Sequence, residues 1–176
     1  NELIYVWIVW NMKILEESEK LYRESTLIAS ELRKDFSTPD ALPNLQNELE
    51  IVAGYMGAEI WIMDNQKNLL IDSSDYRVYQ HASLRAPMKL TSFNISDFEN
   101  VYYQVGTFYE SFSEPTLTVY APITVDYKVR AYVLIHKSMD SVVADADSIV
   151  NIVFTSSLLI LSCTFIVLLA TMYFIY

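Results

Sequence analysis

The stretch TLTVYAPITVDYKVRAYVLIH, from Thr116 to His136, decides the fold. Two apolar runs flank the polar segment Asp126 to Lys128, and this pattern predicts a β-hairpin. Alternation with a period of two predicts one apolar and one more polar face for its first strand. The apolar face carries Leu117, Val119, Ala121 and Ile123, and the more polar face carries Thr116, Thr118, Tyr120 and Pro122.

A second hairpin is predicted upstream, in AEIWIMDNQKNLLIDSS, from Ala58 to Ser74. Its two short apolar runs are separated by the polar turn Asn65 to Asn68. Between the hairpins, the segment from Tyr76 to Pro115 is rich in Tyr, Phe and Ser and has weak periodicity. We expect loops there, with one or two short helices and a strand around Tyr102 to Val105.

Helical periodicity precedes the hairpins. The segment from Lys13 to Phe36 predicts a long helix, a turn is expected at Ser37 to Asp40, and a second helix is predicted from Leu42 to Tyr55. A seven-residue repeat in the first helix favours a stripe that packs against a partner helix, although a helix lying on its own sheet explains part of it equally well. The repeat consists of Leu15, Tyr22, Ala29 and Phe36.

The C-terminal segment from Ile149 to Tyr176 contains no charged side chain. As a helix it would extend about 42 Å, more than the roughly 30 Å of a bilayer core, so it predicts a transmembrane helix. The alternative is a buried core helix. A helical stripe that begins at Ser138 runs into this segment without Gly or Pro, so residues 138–148 are predicted to be a juxtamembrane helix.

The N-terminal run LIYVWIVWNM, from Leu3 to Met12, is too short to cross a bilayer alone. Trp7 and Trp10 are of a type enriched at membrane interfaces, so residues 1–12 are interpreted as the end of a first transmembrane helix. A truncated signal sequence and a core helix are the alternatives. Residues 13–137 then form the folded domain.

Composition disfavours several functions. The net charge of −10 provides no basic surface for nucleic acid. No phosphate-binding loop, nucleophile elbow or HExxH motif is present, and the single Cys163 and two histidines form no recognisable metal set. The sequence therefore predicts no catalytic residues, no metal and no cofactor.

The order of these elements resembles that of the single Cache (PAS-like, PDC) sensor domains of bacterial receptors. The stretch YYQVGTFYESFSEPTLTVYAPI, from Tyr102 to Ile123, is similar to the ectodomains of Firmicutes sensor histidine kinases. Lys67 and Asn68 stand where that family often has Gly, which leaves the turn type open. The resemblance implies an α+β fold: a PAS-like antiparallel sheet with a long N-terminal helix packed behind it, plus a C-terminal transmembrane helix.

Two groups of residues are candidates for ligand binding. Arg77, His81 and Arg85 concentrate positive charge in an acidic body, and would suit a carboxylate or phosphate unless they pair with local acids such as Asp72 and Asp75. Tyrosines with an apolar ring and a polar tip suit a pocket wall, and equally a small core. Of these we predict Tyr103 and Tyr120, together with Thr118 on the more polar strand face.

These expectations converge on a membrane receptor. Residues 13–147 are predicted to be extracytoplasmic and to sense a small ligand as a homodimer, with an anion as the candidate class. The signal is predicted to leave through the C-terminal helix, with a histidine kinase as the output. The alternative is a module of the same fold that mediates dimerisation or protein contact. A variant that senses cations through Asp140, Asp145 and Asp147 belongs to this alternative.

Overall fold

The computed structural model describes residues 2–34, 42–83, 88–98 and 101–175. It is an α+β fold, as predicted. In chain order its elements are α1 (Glu2–Leu32), α2 (Leu42–Met56), β1 (Glu59–Asp64), β2 (Asn68–Asp72), α3 (Tyr76–Ser83), β3 (Met88–Lys89), a 3₁₀ turn (Ile95–Phe98), β4 (Tyr103–Gly106), β5 (Thr116–Val125), β6 (Lys128–Ser138) and α4 (Met139–Ile175). The predicted turn at residues 37–40 lies outside the described residues.

The six strands form one antiparallel sheet in the order β3-β2-β1-β6-β5-β4. Strands β5 and β6 form the predicted hairpin at its centre, joined by Asp126 and Tyr127. Both residues have positive φ, +50° and +61°, as a type I′ turn requires. The fold thus rests on the stretch from Thr116 to His136, which forms its two longest strands.

The β1–β2 turn closes without glycine. The Asp64 carboxylate accepts hydrogen bonds from the backbone N–H groups of Gln66 and Asn68, at 2.8 and 2.9 Å. It also accepts one from the Asn68 side-chain amide, at 2.7 Å. Lys67 takes the left-handed position with φ +69°. A carboxylate that accepts several donors therefore holds a conformation that glycine provides in other hairpins.

The sheet has two different faces. The back face packs against α1 and α2 in an aliphatic core, the back core, which includes Leu21, Leu49, Ile62, Val119 and Ile135. The front face lies under the loops and α3 in an aromatic core, the front core, which includes Trp61, Phe93, Phe98, Phe108 and Leu134. The predicted alternation holds, because the apolar face of β5 belongs entirely to the back core.

Helix α1 buries a stripe on its own domain. Leu21, Ile28 and Leu32 belong to the back core. Within the seven-residue repeat, Ala29 is buried, whereas Leu15 and Tyr22 remain 48% and 42% exposed. The fourth member, Phe36, lies outside the described residues. The stripe of α1 that packs on the sheet therefore runs beside the seven-residue repeat, whose first two members are largely uncovered.

Strand β6 continues directly into α4, because Ser138 ends the strand and Met139 begins the helix. The Met139 N–H donates to the Pro115 carbonyl at 3.0 Å, which fixes the start of the helix to the residue before β5. Helix α4 is long and apolar enough from Met139 to Tyr173 to cross a membrane. Its apolar side chains from Ile152 to Tyr173 are exposed.

Candidate functional site

A groove of about 570 Å³ opens at the end of the sheet from which α4 leaves. It lies between the C-terminal end of α2 and the loop at residues 107–115 that connects β4 to β5. Its floor includes the start of β1 and the end of β6, through Glu59 and His136, which face each other in the strand register. This volume lies in the range of small-molecule sites.

Helix α2 ends at this groove with Gly57 in the left-handed conformation, φ +59°. The Gly57 N–H donates to the Gly54 carbonyl and the Ala58 N–H donates to the Ala53 carbonyl, at 3.3 and 3.1 Å. This pair of bonds is a Schellman motif, which satisfies the last carbonyls of the helix. The backbone turns sharply there, so the chain enters β1 beside the groove.

His136 is the most deeply buried polar side chain of the groove, with 2% of its surface exposed. Its Nδ1 lies 2.8 Å from the Thr118 hydroxyl on the neighbouring strand. Its Nε2 is buried and has no hydrogen-bond partner among the residues that the structure describes. Burial lowers the pKa of His136 to about 3, so the imidazole is neutral at physiological pH.

Three aromatic rings surround this imidazole. The ring centroids of Trp61, Phe108 and Phe112 lie 4.5, 4.6 and 4.9 Å from that of His136. Phe112 also stacks on Trp61 with a centroid distance of 5.3 Å, and it lines the groove. Phe112 therefore lines the open groove and contacts the imidazole of His136.

Two carboxylates lie beside these aromatic rings. The Trp61 indole N–H donates to the Glu59 carboxylate at 2.8 Å. Asp72, which is 7% exposed, accepts from the backbone N–H and the hydroxyl of Ser74, both at 2.8 Å. Burial raises the pKa of Glu59, the Trp61 hydrogen bond lowers it, and the neighbouring Asp72 charge raises it further. The pKa of the Glu59 carboxyl is thus raised above its ordinary value, with burial as the largest cause.

The rim of the groove adds further negative charge. Glu50 on α2 and Glu114 on the connecting loop line it together with Glu59. Among the described residues that line the groove there is no Lys or Arg side chain. Its electrostatic character is therefore acidic.

The connecting loop is strained next to the groove. Phe108, Tyr109 and Glu110 are consecutive non-glycine residues with φ of +45°, +54° and +63°. Such conformations cost L-residues roughly 1–2 kcal/mol each. The Phe108 ring, 2% exposed, is held in the front core, and the Tyr109 hydroxyl makes a short hydrogen bond to Asp97. Packing of the Phe108 ring and the hydrogen bond of Tyr109 thus hold this loop in its positive-φ conformation.

The predicted pocket residues of the sheet divide between its faces. Thr118 and Tyr120 lie on the front face, where Thr118 contacts His136 and the Tyr120 ring lies 4.9 Å from that of Phe98. Tyr103 pairs with Val119 in the register and packs against the back core. Tyr103 therefore shares no pocket with the other two, because alternation along adjacent strands places it on the opposite face.

Of the three residues in the predicted basic group, the side chain of Arg77 is the one that the structure describes. Arg77 on α3 forms a bidentate ion pair with Asp75, with Nε–Oδ1 and Nη2–Oδ2 distances of 2.9 and 2.8 Å. This is the local pairing that the sequence offered as the alternative to a ligand. The side chain of His81 and the whole of Arg85 lie outside the described residues.

The groove contains residues that the sequence analysis did not select. Glu59, Phe112 and His136 line it and come from three separate segments. Strand pairing joins Glu59 to His136, and ring contacts place Phe112 beside Trp61 and His136.

Alternation alone could not place His136, because an unshifted register from the two-residue turn would pair it with Leu117. The register shift between Ile123 and Thr124 pairs it with Thr118 instead. A histidine at the end of a strongly apolar run was the residue to question.

Comparisons with known proteins agree with the fold. No family model matches the chain, and no curated protein matches it in sequence. Among solved structures it is similar to the sensor domain of the V. cholerae histidine kinase DctB, with a TM-score of 0.57 and 11% identity over 81% of this chain and 57% of that chain. It is also similar to the ligand-binding domain of the Campylobacter jejuni chemoreceptor Tlp3 in complex with 4-methylisoleucine, with a TM-score of 0.46 and 11% identity over 81% of this chain and 62% of that one.

These similarities concern the fold. The chain spans less than two thirds of the length of either structure. At 11% identity the DctB match shows that the antiparallel sheet and long N-terminal helix have the architecture of that domain, and it shows nothing beyond the fold.

Proposed function

We propose that the chain is the extracytoplasmic sensor segment of a membrane receptor, with a histidine kinase as the output module. The observation that carries the proposal is the direct passage of β6 into α4. His136 and Ser138 line the groove two residues apart on the strand that becomes this helix. A change in the groove therefore acts on α4 without an intervening loop.

Exposed apolar surface supports a membrane location for α4. Leu158, Leu161, Phe165 and Leu168 are 58–66% exposed and lie on a helix without charged side chains beyond residue 148. Water would disfavour an apolar surface of this extent, whereas a bilayer accepts it, since the helix satisfies its own backbone hydrogen bonds. Residues 149–176 are proposed as the transmembrane helix, and residues 1–12 as the end of a first one.

Contacts at the base of the domain connect the two membrane helices. Glu17 on α1 and Lys137 at the end of β6 form an ion pair of 2.6 Å, with 13% and 15% of their side chains exposed. Helix α1 also contacts α4 directly. Outward-facing Leu15 and Tyr22 on α1 are proposed to pack against a second copy in a homodimer, whose helices form a bundle.

A small molecule is the proposed stimulus. An anionic ligand bound by Arg77, His81 and Arg85 remains a prediction, and in the structure the Arg77 guanidinium is already paired with Asp75. Tyr120 and Thr118 on the front face are proposed to contact the ligand region, and Tyr103 to have a packing role. In the cation-sensing alternative, Asp140 on α4 is exposed, while the side chains of Asp145 and Asp147 lie outside the described residues.

Cysteine accessibility in whole cells tests the topology. In a Cys163→Ser background, Tyr127→Cys at the exposed hairpin tip should react with a membrane-impermeant maleimide on intact cells. Leu161→Cys in the proposed span should stay unlabelled even after permeabilisation, because thiols within a bilayer react slowly with a polar reagent. Labelling of Tyr127→Cys only after permeabilisation would place the domain in the cytoplasm and contradict the proposal.

A further inference from the structure

The groove at the end of the sheet has the chemistry of a cation site. We propose that it binds a small organic amine in its protonated form, held between the Glu59 carboxylate and the imidazole of His136. The inference rests on the proposed sensor function, since it names the chemical class of the stimulus.

The lining of the groove carries negative charge that none of its described residues compensates. Glu50, Glu59 and Glu114 line the groove, and no basic side chain accompanies them among its described residues. Asp72 adds a fourth carboxylate next to Glu59. A bound ammonium group would relieve the repulsion between Glu59 and Asp72 and would receive charge-assisted hydrogen bonds.

A buried imidazole nitrogen provides a second observation, which does not depend on charge. The Nε2 atom of His136 is buried without a hydrogen-bond partner among the described residues, while Nδ1 contacts Thr118. Buried polar atoms without a partner are uncommon in native structures and call for an explanation. With the proton on Nδ1 donated to Thr118, Nε2 presents a lone pair, which an ammonium N–H satisfies.

An aromatic ring lies beside this imidazole in the lining of the groove. Phe112 lines the groove and lies with its ring centroid 4.9 Å from that of His136. An aromatic face attracts a desolvated cation. Phe112 belongs to the loop whose residues 108–110 have positive φ, so its displacement moves a segment that is already strained. Binding therefore exchanges the Phe112 contact on His136 for the ammonium group.

The same residues argue against two other classes of ligand. A free amino acid also needs a partner for its carboxylate, and the described lining offers no Lys or Arg. Among the described residues there is no group of three or more His, Cys, Asp or Glu side chains able to hold a metal ion. An amine without a carboxylate fits the lining best.

Calorimetric titration of the full chain in lipid nanodiscs tests the proposal, with 1,4-diaminobutane, sodium butyrate and MgCl₂ as separate probes. We expect saturable binding of 1,4-diaminobutane alone. Glu59→Gln should weaken it at least about tenfold, as loss of a hydrogen bond to a charged group implies. The control Glu48→Gln removes an exposed α2 carboxylate outside the groove and should leave the affinity unchanged.

A second variant guards against misfolding of Glu59→Gln. Gly54 lines the groove, and an added Cβ there meets no heavy atom within 4 Å, so Gly54→Leu should fill the groove without removing a contact. It should abolish binding of 1,4-diaminobutane. Fluorescence of Trp61 in a Trp7→Phe, Trp10→Phe background should report the ligand, because Trp61 contacts both Glu59 and Phe112.

Three results would overturn the amine site. They are the absence of saturable binding below about 10 mM, equal affinities of the original protein and Glu59→Gln, and displacement of the amine by Mg²⁺ at similar concentration. None of them affects the maleimide test of topology. A domain that is labelled from outside but binds no amine would retain the sensor function and lose only this site.

Discussion

The two faces of one sheet differ in chemistry although they are built from the same strands. The back core is aliphatic and closed by two helices, and the backbone there follows regular strands and helices. The front core is aromatic, is covered mainly by loops, and includes a buried histidine, a pair of carboxylates and three consecutive strained residues. The strained loop and the paired carboxylates both lie on the front face. We therefore propose that the back face is the scaffold and the front face is the sensing surface.

The largest loss of stability should come from a substitution in the back core. Ile62→Ala removes a fully buried side chain from the back core and should lower the free energy of unfolding by about 2–5 kcal/mol. Phe112→Ala on the front face should cost less, since Phe112 is only partly buried. Urea unfolding of both variants measures the difference. A greater loss in Phe112→Ala would contradict the assignment of the scaffold to the back face.

The stability of the protein should depend on pH through His136 on the front face. The folded pKa of His136 is about 3, below the value of about 6.5 in the unfolded chain, so the unfolded state binds the proton more readily. His136 should therefore have little effect on the free energy of unfolding above about pH 6.5. It should lower that free energy by about 2 kcal/mol as the pH falls from 7 to 5.

Glu59 acts in the opposite direction, because its raised pKa favours the protonated folded state as the pH falls. The change in the free energy of unfolding between pH 7 and pH 5 should therefore be compared in the original protein and in His136→Asn. Urea unfolding at both pH values measures it. Asn does not titrate, so the variant should lose this part of the slope. Equal slopes in the two proteins would show that His136 accepts a proton in the folded state.

Release of backbone strain should have a smaller effect of opposite sign. Glu110→Gly places glycine at φ +63° and should stabilise the protein by about 1 kcal/mol. Ser111→Gly, next to it but without positive φ, should stabilise nothing. Differential scanning calorimetry gives both values. Destabilisation by Glu110→Gly would indicate that the loop is not strained in solution.

The smallest effect is expected at the predicted anion site. Arg77→Gln removes an exposed ion pair, which contributes little in water, so the melting temperature should stay within experimental error. Thermal shift with acetate and phosphate then tests ligand binding separately. A stabilisation by either anion that disappears in Arg77→Gln would move the sensing site towards α3 and away from the groove.

Much of the architecture could be predicted because it depends on local periodicity. The alternation in β5 placed Val119 and Tyr120 on opposite faces, and the type I′ turn at Asp126 and Tyr127 follows from strand spacing. The uninterrupted stripe after Ser138 likewise predicted a helix continuous with the C-terminal apolar segment.

The groove could not be predicted in the same way, because its residues come from α2, a loop and two strands that meet only in the folded chain. Glu59 and His136 are neighbours in the register, although they are distant in the sequence. Tyr103 was grouped with Tyr120 by residue type, and register alone places it on the back face. The loop at residues 107–115 offered no periodicity, so neither its strain nor the position of Phe112 was visible.

Cysteine crosslinking in membranes tests most directly whether the front face acts on α4. Single cysteines at positions 139–150, in a Cys163→Ser background, report which side of α4 faces a second copy. We expect crosslinking with helical periodicity, and a shift of its maxima in Phe112→Ala but not in the conservative back-face variant Ile62→Val. Uniform or absent crosslinking, or maxima that stay in place in Phe112→Ala, would contradict it and leave α4 as an anchor.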